Sequence, residues 1–254
     1  MAFNFQDKVA VVTGASRGIG EATVRQLDEG GANVVLVSRS RNKLKDLASE
    51  LNNESLVVDC DLSVDLSIDL IRMRTMEKFE KIDILVNNAA VERNEPAHRA
   101  TAAAIDETLL VNLRQAFMLC SVFAKDLFAT QGNIVNVSST AAGGAGGTQG
   151  AYAASKGGLN TLSKNLSNEW GNKGVRVNSV SPGLTLTEMW EPTFELLGEE
   201  NVMKNFVKRV PLGKWGMPEE IANVICFLAS DLASYVTGQV IRVCLLYTSP
   251  SPRD

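Results

Sequence analysis

Histidine is nearly absent: His98 is the single one in 254 residues. A histidine-based nucleophile triad and a histidine-rich zinc cluster therefore have little to build on. Cysteine is scarce too. Of the four, Cys60, Cys120 and Cys226 lie in apolar or strand-like stretches without metal-ligand spacing. They read as reduced core thiols of a cytoplasmic protein, with an organelle as the other compartment open to it. No apolar run reaches the roughly 20 residues of a membrane span, and Met1–Asp7 lacks the pattern of a signal peptide. Net charge is only −4, which argues against a nucleic-acid-binding surface. Linkers and internal repeats are lacking, so one domain is expected.

What is present is ordinary globular material, 45% hydrophobic and 21% charged, enough for one α/β domain with a substantial core. Short apolar runs rich in β-branched residues predict seven strands. They are Lys8–Thr13, Asn33–Ser38, Ser55–Cys60, Ile82–Asn87, Asn133–Ser138, Val175–Ser181 and Gly238–Val243. Helical patterns alternate with them. They run to about Glu29, over Val64–Glu80 with low clarity, over Thr101–Ala129, over Ala151–Trp170 and over Pro218–Ala229. This alternation predicts a Rossmann-like, doubly wound parallel sheet with helices on both faces. Leu184–Gly216 shows no regular pattern and reads as a lid, with Trp190, Phe194, Leu196 and Leu197 suggesting a partly apolar substrate.

Three groups of residues carry chemistry. First, Gly14, Ser16, Arg17, Gly18, Ile19 and Gly20 join the first strand to the first helix. A glycine turn at a helix N-terminus brings backbone N–H groups and positive potential to a pyrophosphate, although the three-then-one spacing departs from the common dinucleotide fingerprint. Second, residues at strand ends face a ligand crevice: Ser38 and Arg39, Asp61 and Leu62, Asn88 and Ala89. Position 39 is where such folds contact the adenosine ribose, and arginine there accommodates a 2′-phosphate. Third, Tyr152 and Lys156 stand four apart on a helix and so share one face. A lysine ammonium beside a phenol is expected to lower the phenol pKa and fit it for proton transfer. Alone, such a pair is more often an ordinary surface pair.

Taken together, these motifs resemble the short-chain dehydrogenase/reductase family in its single-domain form. The resemblance runs from Lys8 to Val243. It rests on the Thr13–Gly20 turn, Asn87-Asn88-Ala89, Asn112, Ser138-Ser139, Tyr152-Ala-Ala-Ser-Lys156 and Pro182-Gly183. It implies an oxidoreductase that interconverts a carbonyl and a secondary alcohol, similar to 3-oxoacyl-carrier-protein reductases and carbonyl reductases. NADP(H) is implied as the preferred cofactor, with NAD(H) as the second candidate. A catalytically silent NADP sensor is the rival, which would be expected to have lost Tyr152 or Lys156. Catalytic roles are implied for Asn112, Ser139, Tyr152 and Lys156. The spacing of thirteen residues to the tyrosine in similar proteins selects Ser139 over Ser138. Asn112 is implied to anchor a water leading to Lys156, and Lys156 to hold the nicotinamide ribose. Pro182, Gly183, Leu184 and Thr187 are implied to line the nicotinamide end. The implied partners are a small carbonyl or alcohol substrate and further copies of the chain, as homodimer or homotetramer, with neither nucleic acid nor membrane. No metal is implied.

Two departures stand out. Ala90 replaces a glycine common in relatives. After Val243, relatives usually continue with Asp-Gly-Gly. Here Cys244–Asp254 matches the translation of a common sequencing-library transposon adapter. Residues 1–243 are therefore expected to form the domain, and 244–254 a non-native tail in place of the native C-terminus.

Overall fold

The computed structural model describes residues 3–144, 147–207, 210 and 212–244. Seven strands form one sheet: β1 (Val9–Thr13), β2 (Asn33–Ser38), β3 (Ser55–Asp59), β4 (Ile84–Asn87), β5 (Asn133–Val137), β6 (Arg176–Pro182) and β7 (Val240–Val243). All are parallel, in the order β3-β2-β1-β4-β5-β6-β7. The helices are α1 (Gly18–Glu29), α2 (Arg41–Ser49), α3 (Leu66–Phe79), α4 (Ala102–Leu109), α5 (Gln115–Thr130), α6 (Gly150–Trp170), α7 (Glu191–Leu197), α8 (Glu199–Val207) and α9 (Pro218–Ala229).

The period-two alternation of strand side chains divides the core into two layers. Ala10 and Val12 of β1 point into a cluster with Val24 and Leu27 of α1, Leu44 of α2 and Ile225 of α9. Val9 and Val11 point to the other face, among Ile71 of α3, Phe123 of α5 and Leu166 and Trp170 of α6. Every residue of β1, β4 and β5 is buried, as expected of parallel strands covered on both sides. The strand order reverses between β1 and β4, so the crevice at their C-terminal ends is where this architecture takes ligands.

Two segments differ from the sequence reading. The expected continuous helix Thr101–Ala129 is broken by a π turn at Leu110–Arg114, where the Gln115 N–H donates to the Leu110 carbonyl. Asn112 is the buried residue of this turn, and such turns are frequent at functional sites. The Leu184–Gly216 segment is not irregular. It contains α7 and α8 and is pinned at its base by Leu186 N–H to the Gly216 carbonyl (2.9 Å) and Gly216 N–H to the Leu184 carbonyl (3.0 Å). Short helices whose apolar residues meet one another rather than the main core leave a weak periodic signal. The expected tail lies outside the described residues except for Cys244.

Candidate active site

The turn after β1 is shaped by two glycines. Gly14 has φ +65°, a left-handed value that favours glycine. At Gly20, an added Cβ would land on the Gly14 carbonyl oxygen. Thr13 and Asn88 hold this turn to the end of β4. The Asn88 and Ala89 N–H groups donate to Thr13 Oγ1 (3.0 and 3.1 Å), and Asn88 Nδ2 donates to the Thr13 and Gly14 carbonyls (2.9 and 3.2 Å). The sequence reading singled out Asn88 but not the supporting role of the Thr13 hydroxyl.

From this turn a cavity of about 1060 Å³ runs along the carboxyl ends of the strands, at the upper end of the usual range for small-molecule sites. Of the expected cofactor residues, Gly14, Ser16, Arg17, Gly18, Ile19, Ser38, Arg39, Asp61, Leu62, Asn88 and Ala89 line it. At its other end Ser139, Tyr152, Lys156, Pro182, Gly183, Leu184 and Thr187 also line it. Only Gly20 and Asn112 stand behind the wall. Gly20 backs the turn, as described. Asn112 accepts from the Val91 N–H (2.8 Å) and donates to the Val91 carbonyl (2.8 Å) and to Ser155 Oγ (3.1 Å). Its side chain therefore ties the loop after β4 to α6, and it makes no direct bond to Lys156.

Helix α6 is fixed to the sheet by a buried polar chain. Asn87 Nδ2 donates to Asn136 Oδ1 (2.9 Å), Asn136 Nδ2 donates to Ser163 Oγ (2.8 Å), and Ser163 and Ser179 share a hydrogen bond (2.8 Å). Directional bonds in an apolar interior specify one register of helix on sheet. That register brings Tyr152 and Lys156 beside Ser138 and Ser139 at the end of β5. Ser138 Oγ donates to the Lys156 carbonyl (3.2 Å), whereas Ser139 Oγ accepts from the Ala141 N–H (3.1 Å) and neighbours the Tyr152 phenol.

Against the expectation that Lys156 lowers it, the phenol pKa of Tyr152 lies above its ordinary value. Burial pushes the Tyr152 phenol up, the Glu92 charge adds to that, and only the Ser139 hydroxyl opposes it. Lys156 is 2% exposed, and burial brings its ammonium from 10.5 down to about 8, with Glu92 pulling the other way. Lys156 Nζ donates to the Val137 carbonyl (2.7 Å) and lies 5.7 Å from the Tyr152 ring centre. Desolvation is the largest influence on each of the two groups.

Beside the glycine turn, Lys43 lines the cavity with Arg17 and Arg39, a cation that the sequence reading missed. Arg39 also faces Asp61 at 3.8 Å. That acidic neighbour comes from the loop after β3 and is invisible to a search limited to positions 38–41. The lid reading needs correction as well. Trp190 lines the cavity, but Phe194 packs edge-on against Trp215 (centroids 6.3 Å apart), and Leu196 is 81% exposed. Leu197 is half exposed.

These residues fit a dinucleotide. The glycine turn opens on a helix N-terminus, and guanidinium and ammonium groups surround one end of the cavity. A family model described as enoyl-(acyl carrier protein) reductase matches residues 14–245. A 3-oxoacyl-[acyl-carrier-protein] reductase of Aquifex aeolicus is 36% identical over 248 residues, covering 96% of this chain and 98% of that one. The chain belongs to the short-chain dehydrogenase/reductase family. An NAD-dependent glycerol dehydrogenase of Listeria innocua is 35% identical, covering 97% of this chain and 96% of that one. Among solved structures, levodione reductase superposes with a TM-score of 0.91 at 31% identity, covering 95% of this chain and 97% of that one. A protein described as an NAD(P)-dependent gluconate 5-dehydrogenase of Beutenbergia cavernae, with NADP bound, superposes at 0.89 and 33% identity, covering 96% and 98%. This short-chain dehydrogenase/reductase is an NAD(P)-dependent oxidoreductase. Its seven-stranded sheet is the one the sequence predicts. Among the described residues there is no cluster able to hold a metal ion and no helix long and apolar enough to cross a membrane.

Glu92 and Gln149 also line the cavity, and Gln149 Nε2 donates to Glu92 Oε1. Neither was picked out from the sequence. Both lie in loops, where no periodicity or spacing marks them.

Proposed function

We propose that this protein reduces ketones, of which 3-oxoacyl compounds are one type, to secondary alcohols with NADP(H), and catalyses the reverse oxidation. The observation that carries this reading is the meeting of two hydroxyls, Ser139 and Tyr152, with the Lys156 ammonium at the end of a cavity that begins on the glycine turn. Bound nicotinamide supplies or accepts the hydride. Ser139 then hydrogen-bonds the substrate oxygen. Tyr152, a phenol that is protonated at neutral pH even at its ordinary pKa of about 10, donates its proton to that oxygen as a general acid. Lys156, still mostly ammonium at neutral pH, provides positive charge beside the phenol as it loses the proton, and hydrogen-bonds the nicotinamide ribose. Asn112 keeps α6 and the loop after β4 in position for this and anchors a water that connects Lys156 to solvent.

The preference for NADPH follows from Arg17, Arg39 and Lys43, which offer forked and point charges to a 2′-phosphate. Gly14, Ser16, Gly18 and Ile19 take the pyrophosphate. Asp61 and Leu62 border the adenine, and Asn88, Ala89, Pro182, Gly183, Leu184 and Thr187 complete the cleft. Relatives named for oxoacyl thioesters and for glycerol leave the carbon skeleton of the substrate open. A sensor role is disfavoured because Tyr152 and Lys156 are both present.

We read residues 1–243 as the catalytic domain of a cytoplasmic protein and 244–254 as a non-native tail. Half-exposed Phe117 and Met118 on α5 support self-association through α4, α5 and α6 as a dimer or tetramer. The test of the whole reading is NADPH oxidation against ketones, quinones and 3-oxoacyl thioesters. Turnover of at least one class supports it, and none at all overturns it.

A further inference from the structure

Glu92 is a half-buried carboxylate lining the same cavity as Tyr152 and Lys156. Gln149 Nε2 fixes one of its oxygens, and among the described residues it makes no ion pair. The expected reduction needs none of this: the reacting oxygen is served by Ser139 and Tyr152. A carboxylate held in a site keeps an acceptor oxygen free for a donor on the ligand, and a ligand that covered it without supplying one would strip water from the charge at a cost. We propose that Glu92, held by Gln149, accepts a hydrogen bond from a hydroxyl on the carbon next to the reacting carbonyl, so that the enzyme selects α-hydroxy ketones and vicinal diols.

This specificity rests on the carbonyl–alcohol reading above. An ammonium in place of the hydroxyl would face the Lys156 cation in the same cleft. A plain alkyl group would leave the Glu92 carboxylate desolvated and unanswered. Glu92 shares the cavity with Ser139, Tyr152 and Lys156, and its charge acts on both Tyr152 and Lys156, so the carboxylate belongs to the reacting end of the cleft. In the reduction, one hydride from NADPH adds to the carbonyl carbon and the Tyr152 proton adds to the oxygen. An α-hydroxy ketone becomes a vicinal diol, and NADPH becomes NADP⁺. Sites built to bond a substrate hydroxyl reject analogues that lack it far more strongly than apolar pockets reject a missing methylene.

Acetoin and 2-butanone differ only in that hydroxyl. The experiment compares kcat/KM for the two with NADPH, in wild type, Glu92→Gln and Glu92→Ala. It also follows NADPH binding by fluorescence. Wild type is expected to favour acetoin by about 10- to 100-fold, the range of a charge-assisted hydrogen bond. The ratio should fall toward one in Glu92→Ala and part-way in the near-isosteric Glu92→Gln, with NADPH binding retained in both. A wild-type ratio near one, or a ratio unchanged in both variants, overturns the proposal. So does a wild type that reduces a 3-oxoacyl thioester but not acetoin, while the carbonyl–alcohol reading stands. Failure of every carbonyl compound overturns that reading as well.

Discussion

Replacing Lys156 with methionine should separate stability from function. Lys156 is 2% exposed, and its ammonium is brought from 10.5 to about 8. Each pKa unit corresponds to about 1.4 kcal/mol, so a depression of this size means that the buried charge destabilises the free protein by about 3 kcal/mol near neutral pH. Methionine removes that cost and keeps much of the volume. It also removes the bond to the Val137 carbonyl, a loss of about 1–3 kcal/mol when a buried acceptor loses its partner. The net effect at pH 7 is between neutral and about 2 kcal/mol stabilising, together with loss of turnover. The pH dependence is the sharper signature. A lysine with a lowered folded-state pKa leaves the unfolded chain binding more protons between about pH 8 and 10.5, so wild-type stability rises with pH across that window. The advantage of Lys156→Met over wild type should therefore shrink by about 2–3 kcal/mol between pH 7 and pH 10. Urea denaturation of both cofactor-free proteins at one protein concentration measures this. A difference that is flat with pH, or a variant several kcal/mol less stable at pH 7, would refute the reasoning.

Other substitutions probe the remaining parts of the site. Arg39→Asp should lower kcat/KM for NADPH by about 10- to 100-fold, through lost charged bonds and repulsion beside Asp61, while NADH improves relatively. Equal or better wild-type use of NADH would sink the NADP preference. Gly20→Ala places a methyl group on the Gly14 carbonyl and should weaken NADPH fluorescence binding at least tenfold, since overpacking of this kind costs about 1–3 kcal/mol; near-normal binding contradicts the assigned turn. Light scattering should find a dimer or tetramer, and a stable, active monomer would remove that claim.

The strands were legible because parallel, doubly covered strands read as uninterrupted β-branched runs; β2 and α9 fall on the residues the sequence marks. The glycine turn and the Tyr152–Lys156 pair were legible for the same reason, since each is a local spacing. What escaped is spatial. The π turn around Asn112 keeps an apolar pattern that a helix would also have. Asp61 meets Arg39 only once β2 and β3 pair. Glu92 and Gln149 stand 57 residues apart and form a unit only after α6 docks. Burial raises the Tyr152 phenol and lowers the Lys156 ammonium, which a helical wheel cannot reveal. In the lid, the two tryptophans sit 4.8 Å apart at a steep angle, an aromatic cluster that sequence order alone scatters over 25 residues.

The account depends most directly on Tyr152 as the proton donor. The decisive measurement is kcat of Tyr152→Phe with a reducible ketone, alongside NADPH binding to the same variant. Phenylalanine keeps the ring that packs near Lys156 and removes only the hydroxyl beside Ser139. A general acid typically contributes a factor of about 10² to 10⁴, so kcat should fall by at least about a hundredfold while NADPH binds as in wild type. A variant that retains more than about a tenth of wild-type activity contradicts the assignment.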